Sequence, residues 1–191
     1  KVKIFFKPNS LKGLIKYLKL YSLRGKIFIL GNGSNVLFDD NTYQGTVIKL
    51  GKSFSNISLL DNKTIIAGTA VSQKKVSKFA KDNNISGFEF MSCIPGSIGG
   101  GIRMNSGCFK KEFKDILISI QLVDFNGVVR SIPANKIKFN YRSIELPKNL
   151  IFLSATFKGK QKNSKEINSY MNEINKIKNM AQPTKIKTSG S

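Results

Sequence analysis

Between positions 11 and 21 the apolar residues recur at helical spacing. Leu11, Leu14, Ile15, Leu18 and Tyr21 share one face, with Asn9 or Ser10 available as the cap and Gly25 as the stop. On either side the pattern shortens to apolar runs that predict strands, Ile4-Phe5-Phe6 before and Lys26-Ile27-Phe28-Ile29-Leu30 after. Thr46-Val47-Ile48-Lys49-Leu50 predicts a third. Residues 53–70 predict a hairpin turning at Asp61-Asn62, its second strand Thr64-Ile65-Ile66-Ala67 ending at Gly68. From 71 to 83 the spacing is helical again, with Val71, Val76, Phe79 and Ala80 inward and Lys74, Lys75, Lys78 and Lys81 toward water. A second hairpin is predicted from 116 to 132, with Asn126-Gly127 at its turn. Residues 150–157 predict a strand. Residues 164–181 predict an amphipathic helix with Ile167, Met171, Ile174 and Ile177 on its apolar face, ended by Pro183.

Strands and helices alternate irregularly and hairpins fall among them, which defines an α+β class rather than a regular parallel repeat. The elements divide into a first lobe at 1–52, a second at 53–160, and a connecting helix at 161–191 that leads into further structure. The chain starts at Lys1 rather than Met and stops in the loop-like Thr188-Ser189-Gly190-Ser191, as expected for a piece of a longer protein.

One stretch breaks the periodicity altogether. Residues 91–107 carry five Gly and one Pro in seventeen positions, with Ser97, Asn105 and Ser106 adding uncharged hydrogen-bonding groups. Such a run reads as a loop that brings main-chain N–H groups close to an anionic or planar ligand. A second donor-rich loop, Gly31-Asn32-Gly33-Ser34-Asn35, leaves the strand at 26–30 directly. It is neither a G-x-G-x-x-G nor a Walker loop, and no helical pattern opens after it. Two such loops in adjacent lobes suit an extended dinucleotide lying between them.

Composition removes several other readings. At 40% hydrophobic residues, 191 positions can bury a sizeable core, yet runs such as Ile27-Phe28-Ile29-Leu30 are far too short to cross a bilayer. The absence of His rules out Ser-His-Asp and Cys-His machinery within these residues, and two cysteines do not make a metal-ligand set. Without an export signal, Cys93 and Cys108 are expected as free thiols of a cytoplasmic protein. The net charge of +21 invites a nucleic-acid partner. Against it, the basic residues are spread from end to end and are Lys except for Arg24, Arg103, Arg130 and Arg142. No stacking-aromatic motif accompanies them, so neither nucleic acid nor membrane is expected as partner.

Four segments in order carry a resemblance: Leu30-Gly31-Asn32-Gly33-Ser34-Asn35-Val36-Leu37, Ile94-Pro95-Gly96-Ser97-Ile98-Gly99-Gly100, Met104-Asn105-Ser106-Gly107 and Phe139-Asn140-Tyr141-Arg142-Ser143. Together they closely resemble the UDP-N-acetylenolpyruvoylglucosamine reductase (MurB) family, from about residue 3 to the end. The resemblance implies the two-lobed FAD-binding fold of the vanillyl-alcohol-oxidase (PCMH) type, with most of a substrate domain missing. It implies FAD held at its pyrophosphate by Gly31, Asn32, Gly33, Ser34 and Asn35. Near the flavin it implies Ile94, Pro95, Gly96, Ser97, Gly99 and Gly100, with Gly68, Asn105 and Gly107 as further cofactor-side positions.

The chemistry implied is reduction of UDP-N-acetylglucosamine enolpyruvate by NADPH through the bound flavin, in peptidoglycan precursor synthesis, with no obligate protein partner. Arg142, beside Tyr141 on the substrate side, matches the family's arginine that stabilises negative charge on the substrate carboxylate. Ser191 in Gly190-Ser191, 49 residues past Arg142, matches the serine that serves as general acid, a spacing of the subfamily with the shorter loop. The family's catalytic glutamate would lie beyond Ser191. Cys93 and Cys108 stand where relatives carry small residues, and are expected as packing replacements rather than redox centres. Phe109 replaces a frequent Tyr, and Lys110-Lys111 could supply charge in its place. The alternatives are an oxidase of the same fold and a non-catalytic basic binding domain.

Overall fold

The computed structural model describes residues 1–181. β1 (Val2–Phe6), β2 (Lys26–Ile29) and β3 (Tyr43–Ile48) pair in the order β1-β3-β2, both pairings parallel, and α1 (Leu11–Tyr21) connects the first two. Ser10, not Asn9, caps α1, its Oγ accepting from the N–H of Gly13 at 3.1 Å. Leu14 and Leu18 are fully buried, whereas Tyr21 is 41% exposed, so the apolar stripe ends a turn early. The helix stops at Tyr21, ahead of Gly25.

β4 (Ile57–Leu59) and β5 (Thr64–Gly68) form the expected hairpin. Its turn is held by the Asp61 carboxylate, which accepts from the Lys63 N–H at 2.7 Å and the Thr64 hydroxyl at 3.0 Å. α2 (Gln73–Asp82) follows, capped by Ser72, with Val76 and Ala80 buried and Lys74, Lys75 and Lys78 in water. β6 (Ile85–Ser86), α3 (Ile98–Arg103), β7 (Gly107–Cys108) and β8 (Lys111–Glu112) occupy the middle of the chain. The second half supplies β9 (Leu117–Asp124), β10 (Val129–Pro133), β11 (Lys138–Asn140), β12 (Ser143–Glu145), β13 (Leu150–Lys158), β14 (Lys160–Gln161) and α4 (Ser164–Ala181). Five strands join in an antiparallel sheet of order β10-β9-β13-β5-β4.

β13 explains how the layers hold together. Along it, Leu150 and Phe152 pack with α2 and α3 residues such as Val76, Ala80, Ile98 and Ile102, while Ile151 and Leu153 pack with Leu14, Leu18 and Ile48. A strand buried on both faces reads as an unbroken apolar run, which is how 150–157 appears in sequence. The larger core is centred on Phe113, whose ring meets Phe90 and Phe157 edge-on, both at 5.8 Å between centroids.

α4 lies against α2 and the 3-10 turn Glu89–Ser92, burying Ile167 and Ile174. Its apolar face is narrower than the spacing predicts, because Ile177 is 46% exposed. Pro183 lies outside the described residues.

Candidate cofactor-binding site

The first donor-rich loop leaves the end of β2. Among the described residues the N–H groups of Gly31, Asn32, Gly33, Ser34 and Asn35 take no protein acceptor, leaving five consecutive donors open at one loop, with Gly31 half-buried and the other four residues exposed. Gly33, at φ +76°, turns the chain where an L side chain would be strained.

The second segment is strapped beside it. Residue 96 accepts at its carbonyl from the N–H of Gln73 at 3.0 Å, Ile98 donates to Val71 at 2.8 Å, and Gly99 donates to Thr69 at 2.9 Å. These bonds fix 96–99 to the chain leading into α2. The stretch read as a loop then becomes helical: Ser97 caps α3, its Oγ accepting from the N–H of Gly100 at 3.3 Å. Three consecutive glycines are poor helix formers, and packing overrides that preference. A Cβ on Gly101 would stand 2.5 Å from the Phe113 ring.

Sixty-one residues apart in sequence, the two loops meet. The Ser34 hydroxyl donates to the Pro95 carbonyl at 3.1 Å. Gly31 lies so close to Ser97 that a Cβ there would come within 2.5 Å of its Oγ. The N–H groups of Gly96 and Ser97 have no acceptor among the described residues, and Ile94 and Pro95 line the approach, half-buried and exposed respectively. Gln73 was not anticipated as part of this site. Its side chain is 1% exposed, its Nε2 lies near Gly96 and Gly101, and its Oε1 has no hydrogen-bond partner. A buried acceptor left open beside a row of open donors fits a ligand with both acceptors and donors.

Three further expected positions make contacts within the protein. Gly68 lines a cavity of about 200 Å³ with Leu11, Phe54 and Ser154, and directly precedes Thr69, whose carbonyl accepts from Gly99. Gly107 pairs with Glu112 in the β7–β8 hairpin, whose turn is formed by Phe109 and Lys110 at φ +51° and +60°. Asn105 is fully buried and spends its amide inside the protein. It donates to Glu112 Oε2 at 2.9 Å and to the Asn140 carbonyl at 3.2 Å, and accepts from the Lys114 N–H at 3.1 Å. Asn105 thus ties the end of α3 to the β11–β12 turn.

That turn carries Tyr141 and Arg142. Arg142 sits at φ +54° with its guanidinium 5.2 Å from the centre of the exposed Tyr141 ring. Its charge reaches Glu112, whose carboxyl is held below its ordinary range first by the Lys114 ammonium at 2.8 Å and then by Asn105 and Arg142. Ser191 lies outside the described residues.

The fold and the paired loops present open main-chain donors beside one open acceptor, a set of the kind that nucleotide-cofactor domains offer, and it fits FAD. A family model described as FAD binding domain matches residues 2–132. The UDP-N-acetylenolpyruvoylglucosamine reductase of Pelagibacter ubique is 58% identical over 189 residues, and that of Rickettsia bellii (strain RML369-C) 44% over 188. The alignments cover 99% and 98% of this chain, which spans 63% and 62% of those relatives. Among solved structures, MurB from Thermus caldophilus superposes with a TM-score of 0.83 at 26% identity, covering 97% of this chain and 65% of that one. The glucose dehydrogenase Phl p 4.0202 shares the fold alone, at a TM-score of 0.60 and 10% identity over 82% of this chain and 34% of that one. The chain belongs to the FAD binding domain family, with the PCMH-type fold.

Proposed function

We propose that the protein carrying this chain is an FAD-dependent reductase that uses NADPH to convert UDP-N-acetylglucosamine enolpyruvate to UDP-N-acetylmuramate, in the cytoplasm, for peptidoglycan precursor synthesis. Bound FAD supplies hydride transfer to the enolpyruvyl double bond. The Ser34–Pro95 bond carries the reading, because it joins the two donor loops into one cradle. Gly31, Asn32, Gly33, Ser34 and Asn35 offer their N–H groups to a pyrophosphate, and Gly96 and Ser97 offer theirs from the other side.

Arg142 is the group for the substrate carboxylate. A guanidinium keeps its charge at any working pH and pairs bidentately, so it stabilises the negative charge that develops on the carboxylate when the adjacent double bond is reduced. Its turn is held from below by the buried Asn105, which limits how far that charge can drift. The Ser191 hydroxyl donates the proton to the carbon next to the carboxylate, following the family's pattern. No helix among the described residues is long and apolar enough to cross a membrane.

The test is Arg142→Ala in the full-length protein. Substrate reduction is expected to fall at least about a hundredfold while the flavin absorption and FAD stoichiometry stay unchanged. Parallel loss of flavin and activity would make Arg142 a structural residue instead.

A further inference from the structure

Cys93 precedes the 94–100 segment and Cys108 follows α3 in β7, so the two bracket the cofactor-binding stretch in sequence. In space their sulfurs lie 2.8 Å apart, and both face the Phe90 carbonyl, at 3.1 and 3.3 Å. We propose that Cys93 and Cys108 form a peroxide-sensitive modification site, closing to a reversible disulfide that fastens both ends of the flavin-side segment. The site goes beyond the reductase reading and does not depend on it.

The geometry asks for little movement. A disulfide holds its sulfurs at about 2.05 Å, so the pair must approach by about 0.8 Å. The surroundings also divide the two roles. Lys178 of α4 donates to the Cys93 carbonyl, and the Cys93 and Cys108 thiols share a hydrogen bond. That hydrogen bond, followed by the Lys178 charge, holds the Cys93 thiol below its ordinary range, while the same bond and burial push Cys108 up. The Lys178 ammonium held at the Cys93 carbonyl favours charge on the neighbouring sulfur, so Cys93 is assigned the attack and Cys108 the resolution. Cys93 itself is 6% exposed, and Cys108, half-buried, opens the pair to an oxidant as small as hydrogen peroxide.

In the first step the Cys93 sulfur attacks one peroxide oxygen and the O–O bond breaks. The departing hydroxide leaves as water with the thiol proton, and Cys93 becomes a sulfenic acid. In the second, the Cys108 sulfur attacks the Cys93 sulfur, the S–O bond breaks, and a second water leaves with the Cys108 proton. Two thiols give up two electrons and two hydrogens, and one peroxide becomes two waters. The resulting ring contains the whole stretch from Ile94 to Gly107, so its local opening is restricted.

The full-length protein is treated with a small excess of hydrogen peroxide, alkylated and mapped by mass spectrometry without reduction. A peptide joining Cys93 to Cys108 is expected, in monomeric protein and reversed by dithiothreitol. Backbone hydrogen exchange across 94–107 is expected to slow roughly tenfold in the oxidised form. Cys108→Ala is expected to accumulate a dimedone-reactive sulfenic acid at Cys93, and Cys93→Ala to react far more slowly. Two alkylatable thiols after peroxide, a link between chains, unchanged exchange across the segment, or a Cys108 that reacts as fast without Cys93 would each overturn the proposal.

Discussion

Ser97 stands where a side chain at residue 31 would have to go. The loops can touch only because Gly31 has none, and the Ser34–Pro95 bond depends on that closeness. Gly31→Val is expected to force the loops apart and weaken FAD binding by at least about tenfold, measured by fluorescence titration. Binding equal to the unaltered protein would place the cofactor elsewhere. Residue types were legible in sequence where a loop needed glycines and donors, but not what each residue would face. Asn105 shows the difference. A small polar residue in a glycine-rich run suggests ligand contact, yet its amide is used up by Glu112, Asn140 and Lys114 across a fold that sequence spacing does not reveal. Gln73 shows the converse: a polar residue on a predicted helix reads as solvated, and only the burial of its side chain marks it.

Among the elements, the β9–β10 hairpin was readable because its turn chemistry is local. The Asp124 carboxylate accepts from the N–H groups of Asn126 at 2.9 Å and Val128 at 3.0 Å and pairs with Arg130. The Val128 bond first, then Arg130 and Asn126, hold this carboxyl below its ordinary range. A depressed folded value means that the contribution is present above the unfolded value of about 3.9 and fades as pH falls through the folded one. Asp124→Asn is therefore expected to melt lower than the unaltered protein at neutral pH, with the gap shrinking as pH drops from about 5 toward about 2. A gap that stays constant across that range would show that the carboxylate charge does not matter. Two other elements were not readable. α3 contains three consecutive glycines, and its helix exists because Phe113 packs against it and Ser97 caps it, not because the residues favour one. The parallel pairing of β1 and β2 on β3 was equally hidden, since an apolar strand looks the same in either direction.

At the scale of the molecule, the α+β class was legible because hairpins fall among irregularly alternating helices and strands, and the FAD-binding fold because the four motif segments stand in order along the chain. What ties the lobes was less visible. β13 buries its alternate side chains against α1 on one face and against α2 and α3 on the other, a role that its apolar run allows but does not specify. Since the chain spans 63% of the Pelagibacter ubique relative, residues 1–191 alone are expected to bind FAD but to turn over substrate at a small fraction of the full-length rate. Equal steady-state rates would show that the remaining third is dispensable for chemistry. The contact between Lys178 and the Cys93 carbonyl has a further consequence. It fastens the last turn of α4 to the residue that opens the 94–100 segment, so any force that shifts the helix is felt at that segment, and any ordering of the segment is felt by the helix.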